Sequence, residues 1–243
     1  MHGLSSSELL ELWERGSQST AITRGLLMLS YSLPGKSWNE LAAVSIGRRD
    51  CLLLELRRAT LGPTLDAFAV CPTCSDELEF SLNTQELGLN AEAEELARER
   101  RFKQDSLTVT CHLPDSDDLE AASGCAGVEE AQKTLVSRCI HLIEAENGET
   151  LTEIPSAVEE QFSAYLAERD PAAEISLALE CPSCGIQWEM ALDIVSFFWR
   201  EIQSAARRIV LEVDALARSY GWAETAILSM SPARRQMYLE MVG

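Results

Sequence analysis

Four of the eight cysteines stand in two matching pairs, Cys71-Pro72-Thr73-Cys74 and Cys181-Pro182-Ser183-Cys184. Two thiolates separated by two residues across a tight turn point at one place and supply half of a tetrahedral zinc site, so two such pairs complete one. Zinc to sulfur bonds of about 2.3 Å require the pairs to lie within a few ångström of each other, although residues 75 to 180 intervene. Four thiolates leave no open position for a reactive water. The spacing therefore predicts one structural zinc ion held by Cys71, Cys74, Cys181 and Cys184. A dithiol redox centre is the competing chemistry. It calls for a CxxC at a helix N-terminus, where the thiol pKa is lowered, whereas both motifs here read strand, turn, strand. Four ordinary buried cysteines are the third reading, and they leave the matching of the motifs unexplained.

The other cysteines, Cys51, Cys111, Cys125 and Cys139, show no pair spacing, and most suit small apolar positions in helices or a strand. His112 beside Cys111 hints at a second metal pair, but strand neighbours face opposite sides. His2, His112 and His141 are the only histidines, and the chain contains no G-x-S-x-G, phosphate-binding glycine loop or H-E-x-x-H. The sequence does not read as that of an enzyme. Arginine doublets at 48-49, 57-58, 207-208 and 234-235 could form a nucleic-acid footprint. Yet 20 basic side chains stand against 39 acidic ones, a net charge of −19, which repels phosphate backbones and anionic lipids. The doublets read instead as solvated or interfacial, and neither nucleic acid nor a membrane is expected as partner. With no long apolar run and no basic-then-apolar start, the expectation is a soluble, cytoplasmic protein with reduced thiols.

The elements that must bring the cysteine pairs together can be read from periodicity. Leu78, Phe80 and Leu82 alternate with polar residues after the first pair, and Trp188, Met190 and Leu192 do so after the second. Counted from the last cysteine of each pair the apolar positions coincide, which marks an internal repeat of two β-hairpins. Trp188, Phe80 and Met190 are expected to face the long helix. Helices are expected before and after the hairpins: a first run capped by Ser7, a short one with a Ser37/Glu40 capping box, and Ile46 to Leu61 ended by Gly62. Residues 195 to 220 carry apolar side chains at spacings of three and four, and Ser231-Pro232 opens a last short helix. Between the hairpins, helices are expected over 90–104, 128–143 and 156–168, a strand over 107–113, and a break over 114–118. The fold class is thus α+β: a helical frame from both termini (1–63 and 194–243), a four-stranded zinc ribbon made of two hairpins (64–90 and 173–193), and an inserted α+β lobe (91–172).

Trp13-Glu-Arg-Gly16, the run SIGRRDCLLLELRRATLGPTLDAFAVCPTCSDELEFSL from Ser45 to Leu82, and Leu177 to Val242 with LALECPSCGIQWEMALDIVSFFWREI, ALARSYGWAE and ILSMSPARRQMYLEMV resemble a known family. They are similar to the baseplate hub assembly chaperones of T-even phages, in the bacterial form found with phage-tail-like contractile injection systems. Residues 83–176 match more loosely. The resemblance implies a non-enzymatic assembly factor or minor component of a baseplate hub, with hub or spike proteins of a contractile tail-like particle as partners, working in the bacterial cytoplasm or within the particle. A zinc-ribbon adaptor in transcription is the alternative function, and a thiol oxidoreductase the second. A partner surface is expected at Trp222, Met230, Arg234, Arg235 and Tyr238, because aromatic, Met and Arg residues are enriched in interface cores. The competing role for this segment is to cap the N-terminal bundle.

Overall fold

The computed structural model describes residues 2–89 and 99–242. Its helical frame comprises α1 (Ser6–Gly16), α2 (Ala21–Ser32), α3 (Trp38–Ala42), α4 (Ile46–Leu61) and the long α8 (Ile194–Tyr220). The cap of α1 is Ser5, not Ser7: the hydroxyl of Ser5 accepts from the Glu8 amide while the Glu8 carboxylate accepts from the Ser5 amide. Only Ser5 has a Glu three residues on, which that reciprocal box requires. Ser37 and Glu40 form the same box before α3. Gly221, at φ 70°, closes α8 in the left-handed region. The frame's core includes Leu12, Met28, Leu29, Leu53, Leu56, Phe198, Ile202 and Ala206, with the α8 members at the spacing the sequence predicts. Gly16 lets α1 lie against α8, since a Cβ there would stand 2.3 Å from the Trp199 ring.

The hairpins are β1 (Thr64–Val70) with β2 (Glu77–Asn83) and β6 (Ser176–Glu180) with β7 (Gln187–Ala191), each antiparallel. They form two separate two-stranded sheets, not one four-stranded ribbon. No ladder joins them; the link is at the cysteine turns. Leu65, Ala67 and Ala69 are buried on one face of β1, whereas Phe80, Trp188 and Met190 are only half-buried. Of the second hairpin's alternating face, Leu177 packs on the helical core, so the expected sealing of Trp188 against α8 is replaced by partial cover.

The insert has its own core. A sheet of order β3-β4-β5, from Arg100–Gln104, Leu107–Cys111 and Ile140–Ala145, packs with α6 (Val128–Cys139) and α7 (Ser156–Arg169) around Phe102, Val109, Ile143, Val158 and Phe162. Three local expectations change here. The helix expected over 90–104 gives way at its end to β3, and its remainder falls on 90–98, outside the described residues. The helix expected to run to Ile143 stops at Cys139, because Ile140–Ala145 pairs with β4 instead, with a bulge at His141 that leaves both Ile140 and Ile143 buried. The break over 114–118 opens α5 (Ser116–Ser123), which the Asp115/Asp118 capping box starts. Lobe and frame meet where the Ile46 amide donates to Pro114 O (3.0 Å) and the Gly47 amide to Asp170 Oδ2 (3.0 Å).

The candidate metal centre

Each cysteine pair sits in the turn of its hairpin, and the two turns share one backbone plan. The Cys71 amide donates to Asp76 O (2.9 Å) and the Ser75 amide to Cys71 O (3.0 Å); the Cys181 amide donates to Ile186 O (2.9 Å) and the Gly185 amide to Cys181 O (2.8 Å). Ser75 at φ 61° and Gly185 at φ 73° hold the matching left-handed positions. Across the hairpins the Ser183 hydroxyl donates to the Asp76 carboxylate.

This arrangement brings the four sulfurs together. Cys71 Sγ lies 3.6 Å from Cys184 Sγ and Cys74 Sγ 3.6 Å from Cys181 Sγ, with all four within 4.8 Å of one another. Sulfurs bound tetrahedrally at about 2.3 Å from zinc stand about 3.8 Å apart, so the spacing is compatible with that ion. Burial works against ionising Cys71, yet the amides of Cys74 and Thr73 and the neighbouring thiols bring it down to about 6. The Asp76 amide favours the Cys74 thiolate, but sharing hydrogen bonds with Cys71 and then Cys181 and Cys184 drives Cys74 up to about 12. One thiolate is thus held by its neighbours' protons. A dication in the middle is what would let all four ionise. Cys71 and Cys181 are buried, Cys74 and Cys184 exposed.

A family model described as T4 bacteriophage base plate protein matches residues 33–199. The chain belongs to that family. No curated protein and no solved structure matches it. The base plate match takes in α3, α4, both hairpins with their cysteines and the whole lobe, including the stretch whose own resemblance is loose. It ends at Trp199 within α8, so most of α8 and the last two helices, α9 (Glu224–Leu228) and α10 (Pro232–Val242), lie beyond it.

Those last helices contain the side chains expected to meet a partner, and they divide into two groups. Arg235 is turned inward at 2 % exposure, where its guanidinium donates to Glu212 Oε2 (2.8 Å), Met230 O (2.8 Å) and Ser6 Oγ (2.9 Å). It fastens α10 to α8 and α1 and is unavailable to a partner, a correction forced by the carboxylate and carbonyl that face it. Met230, Trp222 and Tyr238 are half-buried and Arg234 is exposed. Trp222 stacks on Tyr220 (centroids 4.3 Å apart) and meets Tyr238 edge-on (4.9 Å), with Arg234 over the Tyr238 ring at 5.7 Å. Two other arginine doublets also turn one member inward: Arg57 is buried in a two-pronged pair with Glu201 (2.6 and 3.0 Å), and Arg49 is buried and pairs with Asp50 at 2.8 Å, whereas Arg207 and Arg208 are both exposed.

Proposed function

We propose that this base plate family member is a non-enzymatic assembly factor or minor structural component of the baseplate hub in a phage-tail-like contractile particle, acting by binding hub or spike proteins. The observation that carries the reading is the match over residues 33–199, which spans more than half of the chain and both cysteine pairs. The resemblance of the flanking motifs to hub assembly chaperones supplies the finer assignment. In this reading a zinc ion bound by Cys71, Cys74, Cys181 and Cys184 pins one hairpin to the other and so fixes where the lobe leaves and rejoins the frame. Among the described residues no helix is long and apolar enough to cross a membrane.

The contact surface we assign to the partner is the outer side of α8 and α10, where Leu211 is 69 %, Met237 60 % and Met241 70 % exposed, beside the Tyr220, Trp222, Tyr238 and Arg234 cluster. Apolar and aromatic side chains ringed by charge are the composition of an interface core. The test is recovery of partners by the tagged chain from cells that make the whole particle. Wild type is expected to recover baseplate proteins, identified by mass spectrometry. A Leu211→Asp, Met237→Asp double variant should remain folded and lose them, while Val128→Asp, at an exposed position in the lobe, should keep them. Recovery unaffected by the double variant would move the contact elsewhere; recovery of no baseplate protein by wild type would overturn the function.

A further inference from the structure

A second group of metal-ligand side chains closes on one point in the lobe. His112 follows β4, Asp118 lies in the first turn of α5, and Cys139 is the last residue of α6. All three are buried, and His112 Nε2, an Asp118 carboxylate oxygen and Cys139 Sγ lie within 4.8 Å of one another. Asp118 Oδ2 stands between the other two, 2.7 Å from His112 Nε2 and 3.6 Å from Cys139 Sγ. The backbone holds the set in place: the His112 amide donates to Cys139 O (3.0 Å), and the Asp115 amide donates to Asp118 Oδ2 (3.1 Å). The second Asp118 oxygen accepts from Arg138 Nε (2.9 Å). On the far side of the imidazole, His112 Nδ1 is 2.8 Å from Nε2 of the exposed His141, and the rings stack at 4.8 Å. An imidazole oriented through its other nitrogen is the support that metal-bound histidines have.

We infer that His112, Asp118 and Cys139 form a second metal site, for a borderline divalent transition ion of which zinc is the foremost, with His141 as the residue that orients His112. One imidazole, one carboxylate and one thiolate are donors that such an ion accepts together, and they leave a fourth position for a water. The three donors are held together through protons. The thiol of Cys139 donates to Asp118 Oδ2, and with Asp118 ionised and His112 neutral Nε2 of His112 donates to the same oxygen, which leaves His112 Nδ1 to accept from His141. Binding forms bonds from the ion to Nε2, Oδ2 and Sγ and releases the thiol proton and the Nε2 proton. His112 Nδ1 then takes the proton from His141 Nε2, and His141 regains one at Nδ1 from solvent, so one proton is released in all. Nitrogen and oxygen ligands on a tetrahedral zinc stand about 3.3 Å apart, so His112 must withdraw by roughly half an ångström. The two closest contacts of the tetrathiolate set, 3.6 Å each, already lie near the tetrahedral spacing, and the lobe site is accordingly the weaker of the two.

Adjacency in the sequence offers His112 only Cys111, and strand neighbours face opposite sides. Its actual partners come from two other elements, and no spacing rule connects them.

Titration of the full chain with 113Cd2+ followed by cadmium NMR separates the sites by ligand type. Wild type is expected to give two resonances, a strongly deshielded one from four sulfurs and a more shielded one from the nitrogen, oxygen and single sulfur. His112→Ala and Cys139→Ser should each remove the second signal and keep the first. Because either change could disturb the lobe's core, the exposed His141→Ala gives an independent reading: affinity at the second site should fall about 10-fold or more, with the melting temperature and the first resonance unchanged. A single resonance from saturated wild type, a second resonance that survives in both core variants, or undiminished affinity in His141→Ala would overturn the proposal.

Discussion

Ser75 and Gly185 occupy the same turn position with the same left-handed backbone, yet only one is a glycine. A side chain in that region costs roughly 1 to 2 kcal/mol, so the first turn carries a strain that the second avoids. No atom lies within 4 Å of a Cβ built at Gly185, and the cost of Gly185→Ala is therefore the backbone term alone. The expected destabilisation is about 1 kcal/mol by urea unfolding of the metal-loaded chain, with metal content unchanged. Asp50 offers a different test. Burial raises its carboxyl to about 6 despite the opposing charge of Arg49. Between its unfolded value near 3.8 and 6, the unfolded chain has lost a proton that the folded chain keeps, so stability falls as pH rises through this window. Asp50→Asn has no such proton. Relative to wild type it should gain about 2 kcal/mol on going from about pH 4.5 to 7.5; a pH-independent difference would show that Asp50 titrates alike in both states.

Helix α4 depends on a residue from the far end of the lobe. Ser45 sits at its N-cap but makes no hydrogen bond to the helix's first amides, and Asp170 accepts from Gly47 instead. The helix start is thus completed only when the chain returns after α7. Asp170→Ala removes that acceptor and leaves a buried amide unpaired, at an expected cost of about 1 to 2 kcal/mol. Hydrogen exchange should show the loss first at Gly47 and its neighbours. If those amides keep their protection, the lobe and frame are joined by other contacts. The same logic explains why α5 escapes the reading of residues 114–118 as a plain break: the acidic and proline residues that interrupt β4 are those that start a helix, with Asp115 as cap and Asp118 as third residue.

Two cores, one helical and one in the lobe, are joined through the hairpins and the Pro114 and Asp170 contacts to the start of α4. The hairpins contribute little buried apolar area between themselves, since Phe80, Trp188 and Met190 are half-exposed and no ladder crosses from one to the other. Their junction therefore rests on the cysteines and the Ser183–Asp76 hydrogen bond beside them. In small zinc peptides the ion contributes on the order of 10 kcal/mol to folding. Cys181→Ser should lose the tightly bound zinc, lower the melting temperature and open both hairpins to protease, while far-UV circular dichroism keeps the signal of the helical frame. An unchanged melt in a zinc-free variant would mean that the hairpins hold without metal.

Local patterns were enough for what short spacing controls. The Ser37/Glu40 capping box, the Gly62 and Gly221 stops, the three-and-four spacing of α8 and the two hairpin turns all depend on residues within a few positions of each other, and each was legible in the chain. The cap of α1, by contrast, reads as Ser7 in place of the Ser5/Glu8 box, and the Asp115/Asp118 box is hidden in what reads as a break. The cysteine pairs were legible too, because two half-sites of one geometry imply a whole. What needed the folded chain was every contact whose partners are far apart. Whether two amphipathic hairpins join edge to edge or meet only at their tips is set by the path of the lobe between them. Whether an arginine is solvated or buried turns on a carboxylate elsewhere: Arg57 and Arg235 read as surface charge until Glu201 and Glu212 lie beside them. His112, Asp118 and Cys139 likewise come together because β4, α5 and α6 are packed around one core, where low exposure and fixed backbones make distant polar groups each other's hydrogen-bond partners.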